Sequence, residues 1–177
     1  MAHSTNDAGV TRRDFIYVAS ATMAAIGGAA AVWPLIDQMN PSADTLALKE
    51  IDVDLASIAP GQQITVEWQK KPLFIRRRTP EEIKEAEEVP LAELKDTQFP
   101  AADKDRVKKP EWLIVLATCT HLGCIPSKDM KGSYGGWLCP CHGSEYDTSG
   151  RIRRGPAPYN LAVPPYKFLT DTKVQIG

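Results

Sequence analysis

Residues 119–124 read CTHLGC and residues 139–144 read CPCHGS, and these two loops decide the fold of the chain. They hold all 4 cysteines of the 177-residue sequence and two of its 3 histidines, the third being His3. Cysteines that only fill a core are spread along a chain, so this crowding indicates a metal centre or a site supported by disulfides. Each loop follows an apolar run typical of a strand. The first loop and the second loop therefore mirror each other.

Three kinds of site compete for this pattern, which reads C-x-H, seventeen residues, then C-x-x-H. A structural zinc ion accepts two cysteines and two histidines, but such sites usually group like ligands together, whereas each loop here mixes them. Zinc also leaves Cys124 and Cys141 without a role. A scaffold of two disulfides uses every cysteine but gives no reason for a histidine in each loop. The mixed pattern favours a two-iron cluster in which two thiolates bind one iron and two imidazoles bind the other.

The paired loops resemble the cluster-binding boxes of the Rieske protein family, which they match without a gap. The resemblance implies a [2Fe–2S] cluster and a loop-to-loop disulfide between Cys124 and Cys141, as in the respiratory branch of the family. Such a disulfide requires an oxidising compartment. Because neutral imidazoles replace two thiolates, an added electron costs less, and such centres have potentials of roughly −150 to +300 mV. The implied cluster ligands are Cys119, His121, Cys139 and His142.

Residues outside the ligand positions also match the family. Ser144 matches a serine that donates a hydrogen bond to a bridging sulfide, and Tyr146 matches a tyrosine that donates to a cysteine sulfur, here Cys119. Such hydrogen bonds stabilise the reduced cluster and raise its potential. The stiff segment Gly155-Pro156-Ala157-Pro158 is similar to the proline loop that covers the cluster in the family. Glu145 departs from the pattern, since many relatives have a histidine there. It occupies no ligand position, so the departure concerns the local charge and not the assembly of the cluster.

The amino-terminal part contains an uncharged stretch of 22 residues, from Phe15 to Ile36. As a helix it would reach about 33 Å, which matches the hydrocarbon core of a bilayer at about 30 Å. Its length and its lack of a polar face favour a transmembrane helix over a buried core helix, although Gly27-Gly28 and Pro34 argue against a straight one. The sequence therefore predicts one membrane span at 15–36, followed by a polar, flexible linker or hinge at 37–49.

Arg12 and Arg13 stand directly before this span, and the pattern resembles the twin-arginine export signal of bacteria. That route carries folded proteins, which suits a chain whose metal cluster is assembled beforehand. Ala29-Ala30-Ala31 leaves cleavage by a signal peptidase open. Positive charge before the span and acidic residues after it predict residues 1–14 in the cytoplasm. The chain then crosses the bacterial cytoplasmic (inner) membrane once, with the head at 50–177 in the periplasm.

The head is predicted to be mainly β, a small antiparallel sandwich or barrel with a cluster-binding subdomain. Alternation at 63–68 and 71–76 predicts a β-hairpin, and the continuous apolar run at 112–117 predicts a buried strand. Thr79 as N-cap, with a proline after it and then acidic residues, predicts a short helix to about residue 88. Further β-like pieces are predicted at 136–138, 160–163 and 173–176.

The resemblance implies electron transfer within a dimeric membrane complex. In the respiratory branch, ubiquinol bound beside a cytochrome b subunit gives up one electron, and the head passes it to a c-type cytochrome subunit while protons are released. His142 matches the histidine that faces the quinol, His121 is its companion ligand, and Leu122-Gly123 form the docking tip. A ligating imidazole becomes more basic when the metal is reduced, so electron and proton can move together.

Other classes of function are less well supported. A formal net charge of −1 and the lack of a basic stripe argue against a nucleic-acid partner. One alternative is the small Rieske subunit of a periplasmic molybdenum oxidase such as arsenite oxidase, and another is a non-redox, zinc-stabilised module tethered to the membrane. The uncut span, the polar linker and the helix-bearing insertion at 79–110 favour the quinol-oxidising enzyme.

Overall fold

The computed structural model describes residues 11–43, 49–96, 98–127, 129 and 132–177. The chain divides into two compact units, residues 1–46 and residues 47–177. The first unit contains the apolar helix, and the second contains every described strand. Residues 1–10 of the predicted cytoplasmic segment lie outside the described part.

The first unit contains one long helix, α1, at Arg12–Asp37. Thr11 caps this helix, since its hydroxyl accepts the Asp14 N–H at 3.2 Å and the Asp14 carboxylate accepts the Thr11 N–H at 2.9 Å. The helix continues through Gly27-Gly28 and Pro34, and none of its residues is buried. With a mean hydropathy of 1.7 in its most apolar part, it has the length and composition of a membrane span. The helix contains the whole predicted span.

Turns follow α1 at the start of the predicted linker, 37–49. The N–H groups of Gln38, Met39 and Asn40 each donate to a carbonyl three or four residues earlier, at 3.0 Å. Residues 44–48 of the linker lie outside the described part of the chain, and the hinge stays a prediction.

The second unit is built from antiparallel strands, which confirms a mainly β head. In the described part of the chain these are β1 (Ile51–Asp54), β2 (Gln63–Trp68), β3 (Lys71–Arg77), β4 (Trp112–Leu116), β5 (Gly135–Cys139), β6 (Ser144–Asp147), β7 (Ile152–Arg154), β8 (Tyr166–Phe168) and β9 (Lys173–Ile176). They form a terminal sheet in the order β1-β9-β8, a middle sheet β2-β3-β4 and a loop sheet β5-β6-β7. The loop sheet is named for the second cysteine–histidine loop, which joins β5 to β6.

The β2–β3 hairpin closes with Gln69 and Lys70, whose backbones are both left-handed, with φ of 50° and 61°. A two-residue turn of this hand matches the twist of the strands that it joins. The register pairs Trp68 with Lys71 at the closed end. The predicted hairpin is therefore confirmed, although neither turn residue is the Gly or Asn that favours this backbone.

The middle sheet is buried on both faces, which explains the continuous apolar run of β4. Leu113 and Val115 point into a core that the middle sheet shares with the loop sheet. Trp112 and Ile114 point into a second core, shared with the terminal sheet. The loop sheet and the terminal sheet therefore cover opposite faces of the middle sheet.

The segment 79–110 connects β3 to β4. It begins with α2 at Pro80–Glu88, whose capping box of Thr79 and Glu82 confirms the predicted short helix. Beyond α2, the described residues of this segment form no strand. Two short 3-10 turns follow the helix, at Leu91–Glu93 and Asp103–Asp105.

Buried polar side chains fix this segment to the rest of the second unit. The Arg78 guanidinium donates to both oxygens of Asp103, at 2.6 and 3.0 Å, and both side chains are buried. The Ser149 hydroxyl donates to the same carboxylate. The Arg106 guanidinium donates to the carbonyls of Ser149 and Leu161, at 2.7 and 2.6 Å. Side-chain hydrogen bonds therefore attach this segment to the second unit, whereas backbone hydrogen bonds between strands hold the sheets together.

The β-like piece predicted at 160–163 is wrong, because these residues belong to no strand. Single hydrogen bonds and side chains satisfy their backbone instead. Leu116 donates to the Ala162 carbonyl at 2.8 Å, and Leu161 donates to the Gly150 carbonyl at 2.8 Å. The sequence also missed β1, β6, β7 and β8, which are only 3 or 4 residues long.

Candidate metal centre

The two cysteine–histidine loops have the same backbone turn. The first follows β4, and the second joins β5 to β6. In each loop a glycine donates its N–H to the backbone carbonyl of the cysteine four residues earlier, Gly123 to Cys119 at 2.9 Å and Gly143 to Cys139 at 3.0 Å. Both glycines have a left-handed backbone, with φ of 83° and 72°, which glycine adopts without strain. The similarity read from the sequence is thus also a similarity of shape.

Cys119 and Cys139 are free thiols, only 2% and 1% exposed, and they lie close enough for each to affect the pKa of the other. Burial acts to raise the pKa of Cys119, but hydrogen bonds from the Tyr146 hydroxyl and the His121 backbone outweigh it, so this pKa lies below that of an ordinary thiol. Burial and the neighbouring Cys119 raise the pKa of Cys139. Two thiols therefore converge on one point, and a metal there would hold both as thiolates.

The two imidazoles also converge. The ring centroids of His121 and His142 lie 4.6 Å apart, with the ring planes at 87°. Nδ1 of His121 is buried and has no hydrogen-bond partner among the described residues. An unpaired buried nitrogen costs free energy that a bond to a metal would offset. With the two thiols, these rings make a set of two sulfur and two nitrogen donors, which fits a two-iron cluster.

A disulfide joins Cys124 in the first loop to Cys141 in the second. The sulfur atoms of Cys124, Cys139 and Cys141 lie within 4.8 Å of one another, which by distance alone would suit a metal ion. Two of these three sulfurs are bonded to each other, so the trio is not a separate metal site. The disulfide instead links the loops beside the donor set and leaves Cys119 and Cys139 as the free thiols.

Two buried hydroxyl groups lie against the donor set. The Tyr146 hydroxyl donates to the Cys119 sulfur at 3.2 Å and accepts the Thr120 N–H at 3.3 Å. Burial, and then the hydrogen bond to Cys119, raise the pKa of Tyr146, so its hydroxyl stays protonated and remains a donor. Ser144 accepts the Ala157 N–H at 3.1 Å, and its hydroxyl acts to lower the pKa of the nearby Cys119 thiol. Both hydroxyls therefore face the sulfur side of the donor set.

The proline loop, Gly155-Pro156-Ala157-Pro158, packs directly on the second loop. The φ of Gly155 is 100°, and a Cβ there would lie 2.5 Å from the Ser144 Cα and 2.7 Å from the Gly143 carbonyl oxygen. Only glycine allows two backbones to approach this closely. Ala157 is fully buried. The proline loop therefore closes one side of the site.

The tip of the first loop is apolar and exposed. Leu122, predicted with Gly123 as the docking tip, is 72% exposed. Ile125, just beyond the disulfide, is 56% exposed and was not identified from the sequence. Adjacent exposed apolar side chains of this size are typical of a surface that meets a partner.

Glu145, where the sequence departs from the family pattern, has a structural role. Its buried carboxylate accepts the Ser133 N–H at 2.6 Å and lies 3.7 Å from the Arg154 guanidinium. Glu145 thus holds the turn before β5 against β6. Arg154 offsets its charge, so the departure does not leave an unpaired carboxylate at the site.

Three further residues support the site, of which Thr120 lies in the first loop and Lys95 and Asp96 lie outside every motif. The Thr120 hydroxyl donates to the Tyr159 carbonyl at 2.6 Å. The Lys95 ammonium donates to two carbonyls of the proline loop, and the Asp96 carboxylate accepts a backbone N–H just beyond it. Lys95 and Asp96 lie in an irregular segment, where the sequence has no periodicity that could have identified them.

Two protein families match the chain. Residues 54–166 match the family described as "Rieske [2Fe-2S] domain". Residues 2–42 match the family described as "Ubiquitinol-cytochrome C reductase Fe-S subunit TAT signal". The first match includes both loops, both hydroxyl donors and the proline loop, and the second includes the arginine pair and α1.

Similar proteins cover almost the whole chain. A "Ubiquinol-cytochrome c reductase iron-sulfur subunit" of Rickettsia conorii is 56% identical over 169 residues, which cover 94% of this chain and 93% of the relative. The protein of the same name from Rhodobacter capsulatus is 47% identical over 192 aligned positions and covers 100% of both chains. A solved structure described as "Hyperthermophilic respiratory Complex III" is 29% identical, with a TM-score of 0.51, and the match covers 90% of this chain and 98% of that one.

Proposed function

This chain belongs to the Rieske iron–sulfur subunits of ubiquinol–cytochrome c reductase, and from this we propose that it accepts one electron from ubiquinol and passes it to a c-type cytochrome subunit. It is a subunit of an oxidoreductase complex, and its cofactor is a [2Fe–2S] cluster, which takes up one electron at a time. The observation that carries the proposal is the convergence of two thiols and two imidazoles beside an exposed apolar tip.

The proposed ligands are the two thiols and the two imidazoles of the loops. Cys119 and Cys139 would hold one iron, because they are buried free thiols that lie beside each other. His121 and His142 would hold the other, which gives the buried Nδ1 of His121 a partner. The two sides of the site differ in access, since the cysteines are buried and His142 is exposed.

His142 is proposed to accept a hydrogen bond from ubiquinol. It is exposed, whereas His121 is half-buried, so a ligand that approaches from outside meets His142 first. An imidazole that binds a metal through one nitrogen keeps the other for hydrogen bonding and can take up a proton there. Release of that proton after the electron has moved on would couple electron transfer to proton release. Leu122 and Gly123 at the apolar tip would seat the head on its partner.

The apolar helix α1 and the match to the export-signal family indicate that the chain is anchored in the membrane of such a complex. We propose that its amino terminus lies in the cytoplasm and its head in the periplasm. The arginine pair before α1 favours this orientation, and the disulfide between the loops requires an oxidising compartment. The proposed partners are a cytochrome b subunit, where ubiquinol binds, and a c-type cytochrome subunit, within a dimeric complex.

Neither alternative function keeps its support. Membership of a [2Fe–2S] family decides against the zinc-stabilised module. Relatives with the name of a ubiquinol–cytochrome c reductase subunit cover almost the whole chain, so they favour the quinol-oxidising complex over a molybdenum oxidase.

The proposal is tested by two variants made in the intact complex. His142→Ala is expected to abolish both the electron paramagnetic resonance signal of the reduced cluster and quinol oxidation, because a ligand is lost. Leu122→Ala is expected to keep the signal and to slow cytochrome reduction, because only the docking tip changes. A His142→Ala protein with an intact signal would contradict the ligand assignment. Unchanged kinetics in Leu122→Ala would contradict the docking role.

A further inference from the structure

The proline loop is held by residues that come from a distant part of the chain. The Lys95 ammonium donates to the carbonyl of Gly155 and, at 3.3 Å, to that of Ala157. The loop has one N–H between Pro156 and Pro158, so its own backbone offers few donors. Its position therefore depends on donors from outside that bind its carbonyls. Three residues of the segment 79–110 hold the proline loop and the residues just after it. They are Lys95, Asp96 and Phe99, and they are called the latch.

The other two latch residues bind the chain just after the proline loop. The Asp96 carboxylate is 1% exposed and accepts the N–H groups of Asn160 at 3.0 Å and Phe99 at 2.8 Å. The Phe99 carbonyl accepts the Asn160 side-chain amide at 3.1 Å, and the Phe99 ring meets Tyr159 edge to face at 6.2 Å. A carboxylate this buried persists only with several donors, so these contacts define one geometry.

The same part of the chain contacts one hydroxyl donor of the site directly and reaches the other through Thr120. The Ala157 N–H binds one lone pair of the Ser144 hydroxyl, which leaves the hydroxyl hydrogen for a sulfur acceptor. The Tyr159 carbonyl accepts the Thr120 hydroxyl at 2.6 Å. The Thr120 N–H in turn donates to the Tyr146 hydroxyl at 3.3 Å, and that hydroxyl donates to the cysteine sulfur.

We propose that the latch positions the hydroxyl donors at the cluster and thereby sets its reduction potential, an inference that rests on the proposed function. Lys95 and Asp96 are positioning residues, because they act through the proline loop and contact none of the four donor side chains in the described structure. Hydrogen bonds to sulfur stabilise the reduced state, and their strength depends steeply on geometry. A loop that is free to move would weaken them and lower the potential.

Three variants in the full-length chain within its complex test this proposal. Lys95→Met removes the donors and keeps an apolar side chain of similar length, whereas Lys95→Arg keeps both the charge and the donors. Arg154→Gln is the charge control, since it also removes an exposed cation next to Gly155, and the Glu145 carboxylate that it leaves unpaired can only enlarge its charge effect. The midpoint potential is measured by redox titration of the cluster signal. Hydrogen exchange of the peptide that spans 155–160 is followed by mass spectrometry.

Lys95→Met is expected to lower the potential by more than Arg154→Gln does and to speed exchange in 155–160 by roughly threefold to tenfold. Lys95→Arg is expected to behave like the parent protein. Equal potential shifts in Lys95→Met and Arg154→Gln, with unchanged exchange, would show a plain charge effect and overturn the proposal.

A variant of the second positioning residue keeps the test decisive. Asp96→Asn retains one acceptor oxygen but loses the charge, and it is expected to shift the potential and the exchange in the same directions as Lys95→Met. Faster exchange without any shift of potential would overturn the link between latch and cluster. A parent protein without a Rieske signal would instead defeat the proposed function, and the exchange data would still report whether the latch holds the loop.

Discussion

Replacing Tyr146 with Phe removes one hydroxyl from the site and keeps the buried ring in place. The hydroxyl donates to the Cys119 sulfur at 3.2 Å. A hydrogen bond to a charged acceptor contributes about 1.5–3 kcal/mol, and it strengthens as the sulfur gains negative charge. If about 1–1.4 kcal/mol of this differs between the two redox states, the shift for one electron is roughly 40–60 mV. Tyr146→Phe should therefore lower the midpoint potential by roughly 40–60 mV.

Loss of this hydroxyl also lowers the stability of the protein. A variant of a second buried tyrosine, Tyr166→Phe, serves as the control for that effect. The Thr120 N–H loses its acceptor in Tyr146→Phe, at a cost of about 1–2 kcal/mol. Tyr166 is buried in the terminal sheet, and its hydroxyl accepts the Lys108 N–H at 3.0 Å. Tyr166→Phe should cost a similar free energy of unfolding and leave the potential unchanged.

The assay is redox titration of the cluster signal at fixed pH, with thermal unfolding measured on the same samples. An unchanged potential in Tyr146→Phe would refute the reasoning. An equal shift in Tyr166→Phe would refute it too, since it would trace the effect to a general loss of stability.

Three further predictions concern the framework of the site. Asp103→Ala leaves the buried Arg78 cation without its partner and should lower the free energy of unfolding by about 3–5 kcal/mol, measured by denaturant titration. Burial acts to raise the pKa of Asp103, but hydrogen bonds from Arg78 and Ser149 leave it below its usual value. The stabilisation from this carboxylate should therefore be present above about pH 4 and be lost as the pH falls further. Gly155→Ala places a Cβ 2.5 Å from the Ser144 Cα and should displace the proline loop, with less iron bound per chain by metal analysis. The disulfide joins cysteines 17 positions apart, so replacing both with alanine should cost about 3 kcal/mol and lower the temperature at which the cluster's visible circular dichroism is lost.

The features that could be predicted from the sequence are those whose signal lies within a few residues. The alternation at 63–68 predicts its strand because side chains on a strand alternate between faces. Thr79, followed by Pro80 and Glu82, predicts the start of α2 because capping is a local interaction. The two loops likewise carry their ligand pattern in a short spacing, and the resemblance to a family depends on that spacing.

The features that could not be predicted depend on contacts between distant residues. Lys95 lies 60 positions from the carbonyl of Gly155 that it binds, and Asp103 lies 46 positions from Ser149. No local pattern distinguishes such residues from ordinary surface charges. The wrong strand at 160–163 has the same origin, since the Leu161 carbonyl accepts a hydrogen bond from the Arg106 guanidinium and not from an N–H of a neighbouring strand.

In the function proposed above, the potential is tuned on one side of the site and the partner docks on the other. The Tyr146 hydroxyl donates to the Cys119 sulfur from the buried side, where the Ser144 hydroxyl also lies. On the other side, His142 is exposed and the tip is apolar, with Leu122 72% exposed. A partner that covers the tip therefore removes water from His142 without breaking the hydrogen bonds that set the potential. Changes at the tip should alter the rates of encounter, whereas changes on the buried side should alter the driving force, and the two effects on the rate should be additive in free energy.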